Sequence, residues 1–90
     1  MLKTLEDLIN IIRDRKNSSP DKSYTKKLLE DKSLSTKKGK EEIAELIEAV
    51  ENNTNKIHEA ADVLYHLIVY LEANEIKMED VIEELNKRKK

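Results

Sequence analysis

The segment from Ile57 to Leu71, IHEAADVLYHLIVYL, is apolar almost all round a helical wheel, and a helix of that kind is normally the buried centre of its domain. Its few polar groups fall together: Glu59, Asp62 and His66 share one narrow stripe, continued by Tyr70. Burying unpaired carboxylates costs several kcal/mol, so Glu59 and Asp62 need a cation, a basic partner or a water-filled cleft. A second acidic pair, Glu42 and Glu45 within EEIAE at 41–45, stands on a stretch that also reads as helix. Residues three apart lie on adjacent turns of one helix face, so each pair can point two carboxylates at one place. Two such helices side by side would gather four hard oxygen donors, a site suited to Mg²⁺ or a similar ion.

The rest of the chain reads as helix as well. One glycine, one proline, no cysteine and a charged fraction of 40% suit an all-α protein, and 90 residues allow one domain spanning 1–90. A domain this small buries a modest fraction of its surface, which leaves room for oligomerisation. The pattern predicts a small bundle of about five helices. The first runs from about Lys3 to Lys16, with Leu5, Leu8, Ile9 and Ile12 at helical spacing, and ends before the turn-rich NSSPDKS at 17–23. The second runs from Tyr24 to about Asp31 with Ser23 as its cap, and the polar KSLSTK at 32–37 reads as a loop. The third spans about Lys38 to Glu51, with Ile43, Leu46, Ile47 and Val50 as its core stripe, Glu41, Glu45 and Glu48 opposite, and Glu42 at the border. Asn52, Asn53 and Thr54 form a short turn, with Thr54 as candidate cap of the fourth helix, which continues to about Ala73. So short a turn makes the third and fourth helices antiparallel neighbours and brings the two acidic pairs together. A last helix from about Met78 to Arg88 carries Val81, Ile82 and Leu85.

Several kinds of chemistry are excluded. Without cysteine there is neither a disulfide framework nor a thiolate metal site, and a reducing cytoplasm is compatible with that. No stretch is long and apolar enough to span a membrane, and the opening MLKTLEDLINIIRDRK carries acidic residues where a signal peptide has an apolar run, so a cytoplasmic protein is expected. With 17 basic and 19 acidic residues, nothing favours general nucleic-acid binding. A ferritin-type di-iron bundle needs Glu-x-x-His pairs, which are missing. No nucleophile turn is supported by glycine, and the single Gly39 makes no phosphate-cradling loop. Nucleotide phosphates would have to be held by metal and by side chains, and basic residues stand ready at Arg13, Arg15, Lys16, Lys26, Lys27, Lys37, Lys38 and Lys40. The basic tail from Lys87 reads as a favourable charge at a helix C-terminus. His58 lies outside the acidic stripe and reads as a surface residue. His66 reads either as a core histidine or as a partner of the acidic site.

Taken in order, SYTKKLL at 23–29, EEIAE at 41–45 and EAADVLYHLIVYL at 59–71 resemble the phosphoribosyl-ATP pyrophosphohydrolases of histidine biosynthesis, and the likeness extends to LEDLINIIRDRK at 5–16. The acidic pattern alone is shared with the wider all-α nucleoside triphosphate pyrophosphohydrolase superfamily, including MazG-type enzymes; SYTxKLL and the pair Tyr65 and His66 are more particular. The resemblance implies Mg²⁺-dependent hydrolysis of phosphoribosyl-ATP to phosphoribosyl-AMP and pyrophosphate. It implies Glu42, Glu45, Glu59 and Asp62 as metal ligands with Glu41 beside them, and Tyr24, Thr25 and Lys27 toward the phosphate end; on the mechanism that follows, Glu41 or Glu45 orients the water, Lys38 is a further candidate for the phosphates, and His66 stands behind the acids. It also implies a homodimer whose clefts draw on both subunits. The chain departs from the family between Leu29 and Glu41, where the approach to the acidic motif reads KKGKEE, about a residue is lost, and Leu34, Ser35 and Thr36 replace the usual apolar pair. Two rivals stay open: a housecleaning nucleoside triphosphate pyrophosphohydrolase on the same fold, and a non-catalytic helical interaction module whose acidic pairs form salt bridges with the abundant lysines.

Overall fold

Ser23 starts the second of five helices as expected, its hydroxyl accepting from the Lys26 N–H at 3.1 Å. The structure is a computed structural model that describes residues 2–17 and 23–89. In it the chain runs α1 (Leu2–Arg15), α2 (Tyr24–Glu30), α3 (Lys32–Asn52), α4 (Lys56–Ala73) and α5 (Met78–Arg88), with no strand among the described residues. The turn expected at 17–23 lies largely outside them.

The core forms where α1 and α2 close over the C-terminal half of α4. Ile12, Leu28, Leu29, Ile68, Val69 and Ala73 are buried there, with Leu5, Leu8, Ile9, Leu34, Tyr65 and Met78 packed against them. Helical spacing places Leu8, Ile9 and Ile12 of LINII and Leu28 and Leu29 of KKLL on the core side, while Ile11 points outward. The most extensive contact in the fold joins α3 to α4, which lie as neighbours across the short connection. Ion pairs fasten the other end. Arg13 of α1 bonds Glu79 at the start of α5 at 2.6 Å and reaches Glu72 of α4 at 3.6 Å, while Lys16 bonds Glu72 at 2.7 Å.

Three expectations are corrected. Residues 32–37 are the opening turns of α3, not a loop. Asp31 ends α2 with its own N–H, which donates to the Lys27 carbonyl, and begins α3 with its side chain, which accepts from the Leu34 N–H at 2.9 Å. One residue thus links two helices directly, and burial of Ser35 and packing of Leu34 on the core hold the polar run helical against its weak propensity. Thr54 is not the cap of α4. Its N–H closes the end of α3 on the Ala49 carbonyl at 2.9 Å, the chain reverses through left-handed Asn53 and Asn55, and Asn55 precedes α4 without a side-chain cap bond.

The third correction concerns faces. Ile43, Ile47 and Val50, expected to be core, are each about half exposed, whereas Ala49 and Ser35 are buried and Glu42 is half-buried. The inward side of α3 therefore carries Glu42 with Ser35, Leu46 and Ala49, while Glu45 and Glu48 and the apolar residues Ile43, Ile47 and Val50 look out. Likewise α4 is central but covered on one side only: Leu64 and Leu67 are about half exposed and Ile57 nearly fully so. Among the described residues no helix covers these outer positions of the α3/α4 hairpin.

Candidate metal centre and its cleft

The inward side of α3 meets the polar stripe of α4, so carboxylates from both helices converge. Glu42, Glu45 and Glu59 each offer an oxygen such that all three lie within 4.8 Å of one another. Asp62, one turn beyond Glu59, stands in an adjoining group with His58 and Glu59 that meets the same limit, and its carboxylate lies 3.3 Å from His58 Nε2. Glu59 belongs to both groups. The fourth acid predicted for a single cluster is thus turned toward a histidine read as a surface residue. His58 is indeed largely exposed, and its i,i+4 spacing to Asp62 was the available sign of the pairing.

Electrostatics mark Glu42 as the strained member. Burial first, and then the neighbouring Glu45 carboxylate, push its pKa above the ordinary value, with Asp62 adding to the rise and His66 opposing it. Oε2 of Glu42 and Oε2 of Glu59 are both buried and without any hydrogen-bond partner. Moreover, among the described residues the ion pairs engage Arg13, Lys16, Lys26, Lys38 and other bases, yet none involves Glu42, Glu45 or Glu59. Two acids of one cluster thus each keep a buried oxygen without a partner, a need that a bound cation would meet, and the all-oxygen donor set fits Mg²⁺.

Around this cluster α2 supplies a second wall. The Tyr24 hydroxyl lies 3.2 Å from His66 Nε2, and His66 Nδ1 lies 2.9 Å from the Asp62 carbonyl. A carbonyl oxygen only accepts, so Nδ1 carries a proton and donates to it, which leaves Nε2 facing the Tyr24 hydroxyl. His66 is buried and stacks edge-on against both Tyr24 and Tyr65. Burial first raises the Tyr24 pKa; nearby Lys38 works the other way, and Glu42 and Glu41 add to the rise, which places the phenol beside the acids and the ammonium. Lys38 bonds Glu41 at 3.3 Å, and that bond holds its pKa above the ordinary value.

Not every predicted residue enters the cluster. The Thr25 hydroxyl bonds the Tyr65 hydroxyl, tying α2 to α4 beside the site. Lys27 is exposed, and no contact joins it to the acids among the described residues. Behind the cluster, on the outward side of the hairpin, a pocket of about 270 Å³ is lined by Gly39 and Ile43 of α3 and by Val63, His66, Leu67 and Tyr70 of α4, among others. His66 therefore touches both the cleft and this pocket.

Comparison with known proteins identifies the family. The family model for phosphoribosyl-ATP pyrophosphohydrolase matches residues 5–89. The chain belongs to that family. It is 47% identical to a protein of Clostridium novyi named phosphoribosyl-ATP pyrophosphatase, over 96% of this chain and 81% of that one. A protein of the same name from Allorhizobium ampelinum is 45% identical over 94% of this chain and 85% of its own length. A Buchnera aphidicola protein named histidine biosynthesis bifunctional protein HisIE is 38% identical over 98% of this chain, which covers 44% of it. No solved structure matches significantly. Within the family, α3 carries the first acidic motif of this chain and α4 the second, and the α2 motif SYTKKLL is the wall that faces them. No helix among the described residues is long and apolar enough to cross a membrane.

Proposed function

We propose that this chain hydrolyses phosphoribosyl-ATP to phosphoribosyl-AMP and pyrophosphate, with Mg²⁺ held by Glu42, Glu45 and Glu59 and by Asp62 beside them. The observation that carries the reading is the pair of buried, unpartnered carboxylate oxygens, on Glu42 and Glu59, meeting from two helices in a chain of this family. Bound there, Mg²⁺ would supply positive charge to the phosphate chain and Lewis acidity to the water that attacks it. The protein's own groups do the rest. Glu45, exposed at the edge of the cluster, and Glu41, one residue before Glu42, are the carboxylates placed to accept a proton from that water. Lys38 and the phenol of Tyr24 stand at the same edge, where they would bind the polyphosphate, with Thr25 next to Tyr24 and Lys27 about one turn along α2. His66, held by its bond to the Asp62 carbonyl, fixes the Tyr24 hydroxyl against the site.

The working unit is a homodimer on this reading. The chain exposes 6880 Å², against about 5,400 Å² expected of a folded monomer of its 10.5 kDa mass. Ile43, Ile47, Val50, Leu64 and Leu67 supply an apolar surface on the outer side of the hairpin, and a second copy would bury it. Because the 270 Å³ pocket opens on that side and shares His66 with the cleft, the partner would complete the wall behind the acids.

The test is pyrophosphate release from phosphoribosyl-ATP, with ATP and a panel of nucleoside triphosphates in parallel, each in Mg²⁺ and in EDTA. Metal-dependent release from phosphoribosyl-ATP alone is expected. Release from free triphosphates instead would move the protein to the housecleaning enzymes, and silence on every substrate would favour an interaction module.

A further inference from the structure

We propose that Tyr65 is a positioning residue for the substrate's phosphates: its hydroxyl sets the direction in which the Thr25 hydroxyl donates, an inference that rests on the placement of Thr25 toward the phosphates given above. The two hydroxyls bond each other across the contact between α2 and α4. The neighbouring pair also meets there, since the Tyr24 hydroxyl lies 3.2 Å from His66 Nε2. Consecutive residues of α2 thus join consecutive residues of α4 through polar side-chain atoms.

Keeping α2 docked does not require the Tyr65 bond. Leu28 and Leu29 are buried in the core with Ile68 and Val69 of α4 and hold the far end of the short helix. At its other end, beside Lys38, Glu41 and Glu42, Tyr24 is half exposed and Thr25 half-buried. What the Tyr65 hydroxyl adds at this end is direction. A threonine hydroxyl has one proton to give and two lone pairs, whereas ionised phosphate oxygens only accept. A phenol is a better donor than an alcohol, so Tyr65 donates to Thr25 Oγ1 and leaves the Thr25 proton for a phosphate oxygen. The Tyr65 ring is itself held in place, packed on the core and edge-on to His66 with ring centroids 5.0 Å apart. Its hydroxyl therefore meets Thr25 from a fixed point.

The experiment measures KM and kcat for phosphoribosyl-ATP in Mg²⁺, together with Tm, for wild type, Tyr65→Phe, Thr25→Val, Thr25→Ser and the double variant of Tyr65→Phe with Thr25→Val. Tyr65→Phe keeps the ring and should raise KM by about three- to tenfold while kcat stays within about twofold, the loss expected when one hydrogen bond to a charged group is weakened in ground state and transition state alike. Thr25→Val should raise KM at least as much, and the double variant should do no worse than Thr25→Val, because the two hydroxyls act as a unit. Thr25→Ser keeps the hydroxyl and should stay near wild type. A lowered Tm with an unchanged KM in Tyr65→Phe would overturn the proposal and leave the bond as a structural tie only, as would KM effects that multiply in the double variant. Failure of the substrate reading looks different. A wild type that acts on free triphosphates instead removes that reading, and the same pattern of KM on those substrates would still support the role of Tyr65 while its absence would overturn it; a wild type silent on every substrate removes both.

Discussion

Replacing Glu42 by Gln should produce opposite effects on stability with and without metal. Without metal, three carboxylates lie within 4.8 Å and one of them, Glu42, is pushed toward protonation by burial and by Glu45. A carboxylate whose pKa is raised on folding favours the folded state at low pH and loses that contribution as pH rises through the folded value, so near neutrality ionised Glu42 works against folding. The size follows from Coulomb's law: two unit charges about 4 Å apart repel by about 1 kcal/mol in water and about 4 kcal/mol at an effective dielectric of 20. Glu45 is exposed, so the lower figure applies. Removing the charge while keeping the shape should then stabilise the metal-free protein by on the order of 1 kcal/mol, about 4–8 °C in Tm for a domain of this size. With Mg²⁺ at a hundredfold excess over its Kd, mass action gives wild type about 2.7 kcal/mol, or about 10–20 °C. Glu42→Gln should gain little of that. Thermal unfolding followed by circular dichroism, at one protein concentration, in EDTA and in Mg²⁺, should therefore show the two proteins exchange rank. A variant that is less stable than wild type in EDTA, or one that responds to Mg²⁺ as wild type does, would refute the reasoning.

Gly39→Ala offers a test of what covers the outer side of the hairpin. Gly39 sits inside α3 and an added Cβ meets nothing within 4 Å, so the change should stabilise the isolated chain by about 0.5–1 kcal/mol through helix propensity; a loss of activity with that gain, read by unfolding and turnover together, would show a close approach from a partner or substrate. Leu64→Glu places a charge on the exposed apolar stripe and should shift the sedimentation coefficient from dimer to monomer while helicity is kept; a wild type that sediments as a monomer would remove the dimer from the proposed mechanism. The Arg13 guanidinium, by bonding Glu79, lowers that carboxyl from 4.5 to about 2. A depressed carboxyl stabilises the fold above its ordinary value and loses that contribution as pH falls toward about 2, so wild type should lose more stability than Arg13→Ala across that window, by a margin kept small because Glu79 is mostly exposed.

Residues whose partners lie within a few positions were readable in advance. Ser23 caps α2, the 52–54 reversal sets α3 beside α4, and the end of α4 at Ala73 falls where the apolar pattern stops. Each depends on a local hydrogen bond or on spacing along one helix. KSLSTK at 32–37 was misread because its propensity is weak on its own. Its helix is held by Asp31, which links it to α2, and by the core contacts of Leu34, which are long-range. The acidic cluster was legible in part: spacing put Glu42 with Glu45 and Glu59 with Asp62, but did not disclose that Asp62 turns to His58.

The sequence by itself determined an all-helical chain, the pairing of its two acidic helices and the family to which it belongs, because periodicity, caps and motif spacing are carried by neighbours along the chain. Only the tertiary structure decided which side of each helix faces inward. Ile43, Ile47 and Val50 and the stripe of acids both have a claim to the interior of α3, and helical spacing alone ranks the apolar side first. Packing of α1 and α2 onto one side of α4 settles the contest residue by residue: Glu42 takes the enclosed side with Leu46 and Ala49, Glu45 stays at the exposed edge of the cluster, and Ile43, Ile47 and Val50 are left on the surface of the described residues.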